Sequence, residues 1–546
     1  MTDSKEPAAT YTQFACIGAG FSGIGLGATL KLKHNIADIR IFEREAKLGG
    51  TWHLNQYPGA ACDIPSSLYT FSFAPCPSWT STSLPTAPQI QSYLVSVATR
   101  FSLLPSKISF HSSVRQCEWL PAPISRWRLA IFSHLTNTTS HHECQFLFSG
   151  TGVLFHPNTS SFSSLPGATS FSGPVMHSAR WDHSVDLTSK RIILFGNGCS
   201  ASQIVPALLN RSNNPEVVKP ARGDIAKLTQ FIHSKHYVIP SLADLFPLSL
   251  LKPLPLSLQR LLCILIGELD FVAMRENTLG RWLRRKKTEQ VKRYMTTSTP
   301  EKYHDLLIPD FEFGYKRRVY DPGYLRALHD ERVELTGERV VEVLEKGVRT
   351  EGGRVVEGDV IVLATGFETN KFLEGVEVVG RDGGRLHEHW GEGETDGESL
   401  TGEKKGEGGK GVGAYETVAV GGFPNFFMLA GPNSVTGHTS VIIAIENAIT
   451  LALNVMKPIL SKGSKVREVE VQPEAERNWV RNVQDELNNK TIWGGGHGGN
   501  NSKTESWYVK VDEKTGKRWN AMLYPGYQAG AWYRARKPRG EDWVYR

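Results

Sequence analysis

The residues whose types and spacing most clearly indicate chemistry are three glycines near the N-terminus. Gly18, Gly20 and Gly23 follow the apolar run Phe14–Ile17, and Glu43 ends a second apolar run 20 residues beyond Gly23. Gly18 permits a tight turn, Gly20 lets the backbone approach a pyrophosphate, and Gly23 lets the next helix pack on a sheet. That helix N-terminus stabilises phosphate charge, and the Glu43 carboxylate accepts hydrogen bonds from a ribose. The pattern predicts a dinucleotide site; a glycine turn without a ligand is the alternative.

A second unit of the same kind lies far along the chain. The apolar run Arg191–Phe195 leads into Gly196, Gly198 and Ala201. Each apolar run suits a buried parallel strand, and each glycine run suits the turn that follows one. Two such units predict two bound dinucleotides and an α/β fold with two Rossmann-like dinucleotide-binding domains.

The elements that position these turns divide the chain into three parts. Residues 236–309 are rich in long apolar and basic stretches with little strand character, which predicts a helical insertion. Residues 391–413 are rich in Gly, Glu and Lys and predict a flexible surface loop. The first dinucleotide domain is expected to comprise residues 1–160 plus 371–546, and the second residues 161–235 plus 310–370.

The helical insertion contains an apolar stretch and a basic run, which indicate whether it binds a membrane or a nucleic acid. The apolar stretch Leu256–Met274 is interrupted by polar residues and is a poor membrane span, although a helix lying on a membrane surface stays open. Seven cations between Arg281 and Arg293 predict a solvated helix face, with no sign of a nucleic-acid-binding module.

Composition limits the class of protein further. Hydrophobic residues make up 40% and charged residues 21% of the 546 residues, as in ordinary globular proteins, and the net charge is a mild +7. The seven cysteines form no CxxC pair, so no metal site or redox disulfide is predicted. An odd cysteine count and a polar N-terminus predict a cytoplasmic protein, and a monomer or weak oligomer is expected.

Three further segments carry a resemblance to known proteins. Residues 49–63 (GGTWHLNQYPGAACD) and 359–367 (DVIVLATGF) resemble the loop along the isoalloxazine and the ATG turn of flavoprotein monooxygenases. Residues 171–182 (FSGPVMHSARWD), here called the fingerprint, match the FxGxxxHxxxW(P/D) pattern of Baeyer–Villiger monooxygenases at every fixed position. The chain therefore resembles that family, in the style of its fungal secondary-metabolism members.

The resemblance implies a reaction. Family members bind FAD and NADPH, form a C4a-peroxyflavin with O2, and insert one oxygen atom next to a ketone carbonyl to give an ester or lactone. Non-covalent FAD, NADPH, O2 and a small-molecule ketone are thus the expected ligands. A fixed cation in a water-poor site best stabilises the negative charge that such a reaction develops.

The resemblance also implies the flavin-side residues. Arg317 matches the arginine of the family's GxKR segment, which lies over the flavin, and Asp63 matches the carboxylate that orients it. A guanidinium in this position keeps its positive charge. The alternative for Arg317 is a surface ion pair, and a surface ion pair is what we expect for Arg318. The implied FAD-binding set is Gly18, Gly20, Gly23, Glu43, Gly50, Thr51, Trp52, Asp63 and Tyr69.

The NADPH side departs from the family at one position. His233 stands where relatives carry an arginine for the 2′-phosphate, and it holds little charge at neutral pH. Lys235 and Lys316 are expected to supply the missing charge. The implied NADPH-binding set is Gly196, Gly198, Ser200, Ala201, Gln203, His233, Ser234, Lys235 and Lys316. In the fingerprint, Phe171, Gly173, His177, Trp181 and Asp182 are expected to couple the two domains.

Two other functions stay open on the sequence. A heteroatom monooxygenase oxidises amines or sulfides with the same flavin chemistry and does not need a cation for a carbonyl adduct. A non-catalytic flavoprotein scaffold keeps the fold and uses the basic helix from Arg281 to bind partners. The GGTW, fingerprint and Lys316–Arg317 segments favour the Baeyer–Villiger function, and the sequence does not indicate which ketone is used.

Overall fold

The computed structural model describes residues 9–79, 84–212, 224–240, 253–369, 371–391, 411–494, 508–511 and 518–546. Most of the predicted 391–413 loop lies outside these ranges. Its last residues, 411–413, are buried, and Trp390 donates a hydrogen bond from Nε1 to the Gly413 carbonyl at 2.8 Å. These three residues belong to the packed part of the molecule.

Strands account for most of the nucleotide-binding framework. In chain order they are β1 (Thr10–Ile17), β2 (Ile39–Phe42), β3 (Ile108–Ser109), β4 (Ser112–Leu120), β5 (Arg126–Ser133), β6 (Thr138–Ser149), β7 (Val175–His177), β8 (Arg191–Phe195), β9 (Lys227–Phe231), β10 (Val238–Ile239), β11 (Val319–Tyr320), β12 (Val333–Thr336), β13 (Val340–Leu344), β14 (Gly347–Thr350), β15 (Val355–Glu357), β16 (Val360–Leu363), β17 (Glu377–Val379), β18 (Phe426–Met428), β19 (Val469–Val471), β20 (Lys510–Val511), β21 (Arg518–Trp519) and β22 (Trp543–Tyr545).

The α-helices flank these strands. In chain order they are α1 (Phe21–His34), α2 (Thr51–Leu54), α3 (Ala87–Arg100), α4 (Ser160–Ser163), α5 (Cys199–Leu208), α6 (Leu256–Phe271), α7 (Thr278–Ser298), α8 (His304–Leu307), α9 (Tyr324–Ala327), α10 (Leu386–His389), α11 (Val441–Leu460), α12 (Pro473–Lys490) and α13 (Gln528–Arg536).

Two separate sheets carry the two glycine turns. The first has the order β17-β4-β5-β6-β1-β2-β3, with β18 beside β6, and β1 pairs in parallel with β2 and β6. The second has the order β12-β9-β8-β16-β7, and its strands are all parallel. Strands β1 and β8 are buried and apolar where they lead into the turns, as parallel strands covered on both faces must be. The predicted α/β fold with two Rossmann-like units is confirmed.

The helical insertion packs differently from the expectation of a solvated basic face. Arg284 of α7 is buried, and its guanidinium donates to the carbonyls of Ala273 and Arg275, both at 3.0 Å, and to Glu312 at 2.9 Å. The expectation is wrong at this position because the chain turns around the α6–α7 corner and leaves carbonyls there that need buried donors. Helix α6 buries Cys263 and exposes leucines on its other face.

Among the described residues, α11 alone is long and apolar enough to cross a membrane. Of its most apolar window, 67% is buried inside the molecule, where α11 contacts α1 and α13. That degree of burial is typical of a core helix.

A buried histidine joins two strands of the first sheet. On β6, His142 Nδ1 lies 2.7 Å from Thr10 Oγ1, and His142 Nε2 lies 2.9 Å from Thr12 Oγ1, so the ring hydrogen-bonds to both hydroxyls. Burial lowers the pKa of His142 to about 4. The unfolded chain, with a histidine pKa of about 6.5, therefore takes up a proton that the folded protein excludes.

We expect this histidine to make the protein sensitive to acid. Its contribution to the free energy of unfolding is fully present above the unfolded pKa and is lost as pH falls toward 4. Between about pH 7 and pH 5 the loss amounts to about 2 kcal/mol. The free energy of unfolding is measured by denaturant titration at both pH values. It should fall less between them for His142→Gln than for wild type or for the exposed control His183→Gln. Equal losses in all three proteins would contradict the assignment.

Candidate active site

The first glycine turn is closely packed and ends in backbone N–H groups that no side chain caps. Gly18 has φ +99°, and a Cβ there would lie 2.6 Å from the Gly150 carbonyl oxygen; a Cβ on Gly23 would lie 2.1 Å from the Gly18 carbonyl oxygen. Helix α1 starts after Gly20, and no side chain caps its first N–H groups. A pyrophosphate satisfies such donors and is stabilised by the helix dipole. These residues fit the adenine-dinucleotide part of FAD.

Glu43 lies at the end of β2, beside this turn. Its Oε2 accepts the N–H of Ala19 at 2.8 Å, and its Oε1 accepts the N–H of Glu45 at 3.0 Å. Burial raises the pKa of Glu43, and the two backbone N–H groups oppose that rise. Each carboxylate oxygen accepts more than one hydrogen bond, so Glu43 can hold the turn and still receive a ribose hydroxyl.

The GGTW segment packs directly on the first turn. Gly50 has φ +53°, and a Cβ there would lie 3.2 Å from the Gly20 Cα. Thr51 and Trp52 begin the short helix α2, and Trp52 donates from Nε1 to the Tyr69 hydroxyl at 2.9 Å. The structure thus brings Gly50, Trp52 and Tyr69 to the turn that the sequence predicts to bind FAD.

The same segment connects the two dinucleotide units. Tyr57 donates from its hydroxyl to Gln203 at 2.8 Å, and Gln203 donates from Nε2 to the Ala61 carbonyl at 3.0 Å. A Cβ on Gly59 would lie 2.5 Å from the Gln203 carbonyl oxygen, so the loop lies flat against α5. Gln203 therefore acts in this structure as a connector between the units, whereas the sequence indicates only a position near NADPH.

The second glycine turn repeats the first. Gly196 has φ +106°, and a Cβ there would lie 2.4 Å from the Ala364 carbonyl oxygen, at the turn of the ATG segment. Gly198 precedes α5 with open space around its Cα and no side chain capping the helix. Ser200 and Ala201 lie in the first turn of α5. This cradle fits a second dinucleotide for the same physical reasons.

The residues predicted for the 2′-phosphate lie just after β9. His233 is exposed, while Ser234 and Lys235 are half-buried, and Ser234 Oγ lies 3.2 Å from His236 Nε2. Burial and, to a smaller extent, the nearby charge of Lys316 together lower the pKa of His236 to about 4. Lys316 is buried, and its effect on His236 places its charge near this loop.

Arg317 and Asp63 form an ion pair between the two turns. Arg317 Nη2 lies 2.7 Å from Asp63 Oδ2, and Asp63 raises the pKa of Arg317 well above its usual value. Cys199, the first residue of α5, lies close enough for Arg317 to lower the pKa of its thiol, against the larger rise that burial causes. The pair is therefore at the junction of both units, with the guanidinium permanently charged.

The pair lines a cavity of about 570 Å³ whose wall is mostly apolar. Helices α6 and α7 form one side, and the segment 436–439 with Trp493 and Tyr508 forms another. Burial raises the pKa of Tyr508 to about 12, so its hydroxyl stays protonated beside Arg317. Its charged lining residues are Asp63, Asp270, Lys287, Lys316, Arg317 and Arg318.

The structure corrects the predicted surroundings of Arg318 and of two residues of the insertion. Arg318 is predicted as a surface ion pair, but it lines the cavity and its Nη1 lies 2.6 Å from Asp270 Oδ2. Lys287 of α7 contacts the other oxygen of Asp270. The interruption of the apolar run by Asp270 was the available signal, because an isolated carboxylate on a buried helix face needs a cationic partner.

The fingerprint lies at the edge of the second sheet. Strand β7 pairs with β16, placing His177 opposite Leu363, and a Cβ on Gly173 would lie 2.3 Å from the Asp359 carbonyl oxygen. Burial lowers the pKa of His177 to about 4, so the ring is neutral at working pH. Phe171 packs against the core of the second sheet, Trp181 is half-buried, and exposed Asp182 accepts hydrogen bonds from Ser184.

Comparisons with known proteins agree with this geometry. Residues 16–80 match the family described as an NAD(P)-binding Rossmann-like domain. The chain is 32% identical to a Baeyer–Villiger monooxygenase of Streptomyces coelicolor, over 95% of this chain and 90% of the relative. It is 29% identical to the FAD-binding monooxygenase ktnD of Aspergillus niger, over 92% of this chain and 77% of the relative.

A solved structure shares the fold. Cyclohexanone monooxygenase from Rhodococcus sp. Phi1 bound to NADP+ superposes with a TM-score of 0.75, covering 99% of this chain and 100% of that chain at 22% identity. The predicted family resemblance is confirmed by the relative at 32% identity, which spans nearly the whole chain. By sequence, fold and the arrangement of its two glycine turns, the chain belongs to the Baeyer–Villiger monooxygenase family.

Proposed function

We propose that this protein uses FAD, NADPH and O2 to insert one oxygen atom next to the carbonyl of a ketone, giving an ester or lactone in secondary metabolism. The observation that carries the proposal is the Arg317–Asp63 ion pair, which lies at the junction of both glycine turns and lines an apolar cavity. A permanent cation at such a place suits a reaction whose intermediate is an alkoxide.

The chain's own residues divide the work between binding and charge stabilisation. FAD, when bound, supplies oxygen activation after NADPH has reduced it. With the cofactor bound, Arg317 would stabilise negative charge that develops on oxygen beside it, while Asp63 holds the guanidinium in position. The apolar wall excludes water, which strengthens these interactions and protects the reactive species from hydrolysis.

The heteroatom alternative explains less of the site. Oxygen transfer to an amine or sulfide passes through no carbonyl adduct, so it does not require the Arg317–Asp63 pair. We test the two by incubating the purified protein with FAD, NADPH and matched ketones, sulfides and amines, and by following the mass gain of one oxygen. Ketone conversion supports the proposal, whereas conversion of sulfides or amines alone would replace it with the heteroatom function.

Several finer assignments are part of this proposal. Lys235 and Lys316 bind the NADPH 2′-phosphate in place of the arginine that His233 replaces, and the fingerprint residues couple nicotinamide binding to the domains. The FAD-binding domain comprises residues 1–160 plus 371–546, the NADPH-binding domain 161–235 plus 310–370, and the helical insertion 236–309. The protein works in the cytoplasm as a monomer or weak oligomer; its seven free thiols suit a reducing compartment.

We also propose that the helical insertion contacts an anionic lipid surface. Nine of the sixteen exposed large apolar side chains of the described residues belong to α6, the start of α7 and the 527–533 segment: Leu258, Leu261, Leu265, Leu269, Leu279, Trp282, Tyr527, Trp532 and Tyr533. Exposed cations flank them: Arg281, Arg285, Lys286, Arg536 and Lys537. An apolar face bordered by cations suits an anionic interface. Leu269 of this group also lines the cavity, together with Cys263, Ile266 and Gly267 of α6, which offers a route for an apolar ketone.

We expect wild-type protein to co-sediment with anionic phospholipid vesicles and to release at high salt. The double variant Leu261→Glu/Leu265→Glu should bind at least about tenfold more weakly, because two leucine side chains no longer enter the interface. The control Leu135→Glu changes an exposed leucine elsewhere on the molecule and should bind like wild type. Equal binding of the double variant and the control would contradict this contact.

A further inference from the structure

We propose that Lys287 and Arg318 bind a carboxylate of the substrate, remote from its reacting ketone, so that the substrate is a keto acid. This inference rests on the proposed function and narrows the class of ketone. The inference is based on an excess of positive over negative side chains at one place on the cavity wall. Lys287 and Arg318 share one carboxylate, Asp270, and no second carboxylate pairs with either cation among the described residues.

Both oxygens of Asp270 are already engaged. Oδ2 receives Arg318 Nη1 at 2.6 Å, and Oδ1 contacts Lys287 Nζ. Burial by itself would raise the pKa of Asp270, but Arg318 and Lys287 together lower it well below its usual value. The carboxylate is therefore ionised, and the three side chains together keep one positive charge uncompensated on the cavity wall.

An uncompensated charge beside apolar side chains is costly, since the wall cannot hydrate it as bulk water does. Arg318 uses one further N–H on the Gly437 carbonyl at 2.8 Å, which fixes the guanidinium. Lys287 is about one-third exposed and has two more N–H donors than its contact with Asp270 uses. These donors suit a ligand that brings negative charge and only acceptors, and they disfavour an amine.

The second cation site is distinct from the reacting centre. Arg317 pairs with Asp63 from the first dinucleotide unit, whereas its neighbour Arg318 pairs with Asp270 from α6. A ketone activated at Arg317 can therefore extend along the cavity toward the insertion, where its acidic end meets Lys287 and Arg318. This arrangement fixes which end of the molecule reaches Arg317.

The test compares long-chain aliphatic keto acids with their methyl esters on the FAD-loaded enzyme. Because a charge-assisted hydrogen bond is lost in the ester, wild type should prefer the acid by about tenfold or more in kcat/KM. Lys287→Met should reduce that preference about tenfold. It leaves Arg318 and Asp270 paired, so the buried carboxylate stays compensated and the fold is kept. Lys287→Arg should restore the preference, and Lys302→Met, at an exposed lysine elsewhere in the insertion, should leave it unchanged.

Each other outcome overturns the inference in a recognisable way. Equal turnover of acid and ester by wild type would contradict the proposed carboxylate-binding site, but it would still agree with the proposed oxygenation of ketones. A fall in kcat/KM of Lys287→Met that is the same for acid and ester assigns the three charged residues a structural role only. A change confined to the KM of NADPH assigns Lys287 to the cofactor. Failure to oxygenate either compound, with turnover of sulfides instead, contradicts the proposed function itself.

Discussion

Arg317→Ala should lower ester or lactone formation by about two to three orders of magnitude while the protein remains yellow. Removing one preorganised charge contact to a developing oxyanion costs roughly 3–4 kcal/mol of transition-state stabilisation. We assign flavin binding chiefly to the Gly18–Gly23 turn and Glu43, and among the described residues Arg317 forms no ion pair or hydrogen bond with them. NADPH oxidation should therefore continue slowly and release hydrogen peroxide in place of oxygenated product.

Three further variants make this result specific. Arg317→Lys keeps the charge but loses the planar fork that meets Asp63, so it should rescue product formation only weakly. Asp63→Ala should give a milder defect, because it misplaces the guanidinium without removing it. The exposed control Arg339→Ala should behave like wild type. Product formation by Arg317→Ala at near wild-type rates would show that another group stabilises the adduct.

Gly23→Ala should yield a protein with little or no bound flavin. A Cβ at this position would lie 2.1 Å from the Gly18 carbonyl oxygen, so α1 must move away from the turn that meets the pyrophosphate. The measurement is the ratio of flavin to protein absorbance after purification and after added FAD. Gly540→Ala is the matched control, since no atom lies within 4 Å of a Cβ there. Full flavin content in Gly23→Ala would contradict the assignment of this turn to FAD.

The framework of the site was predictable because its signals are local. Each glycine turn, with the buried strand before it and the helix after it, is encoded within about thirty residues, so spacing alone indicates β1–α1 and β8–α5. The ion pair of Arg317 and Asp63 joins positions far apart in the chain. It was predicted only because both residues lie in segments that resemble a known family, and the structure brings them to 2.7 Å.

The insertion was predicted less well because its packing is set by distant segments. Arg284 and Lys287 belong to a run of cations that composition assigns to a solvated face. In the structure, Lys287 contacts Asp270 of α6, and Arg284 contacts the segment that follows α6. Arg318 follows Arg317 directly, and nothing in the local sequence distinguishes a surface ion pair from one with Asp270 inside the cavity. A charged side chain can be buried only where the tertiary structure places an oppositely charged or hydrogen-bonding group beside it.

The most direct test of the account uses isotopically labelled O2. The FAD-loaded enzyme is incubated with NADPH, labelled O2 and a ketone that it accepts, and the product is analysed by mass spectrometry with fragmentation. We predict one labelled oxygen atom in the new ester linkage, with the original carbonyl oxygen unlabelled. A product with the label at a hydroxyl, sulfoxide or N-oxide, or NADPH oxidation with no labelled organic product from any ketone, would contradict it.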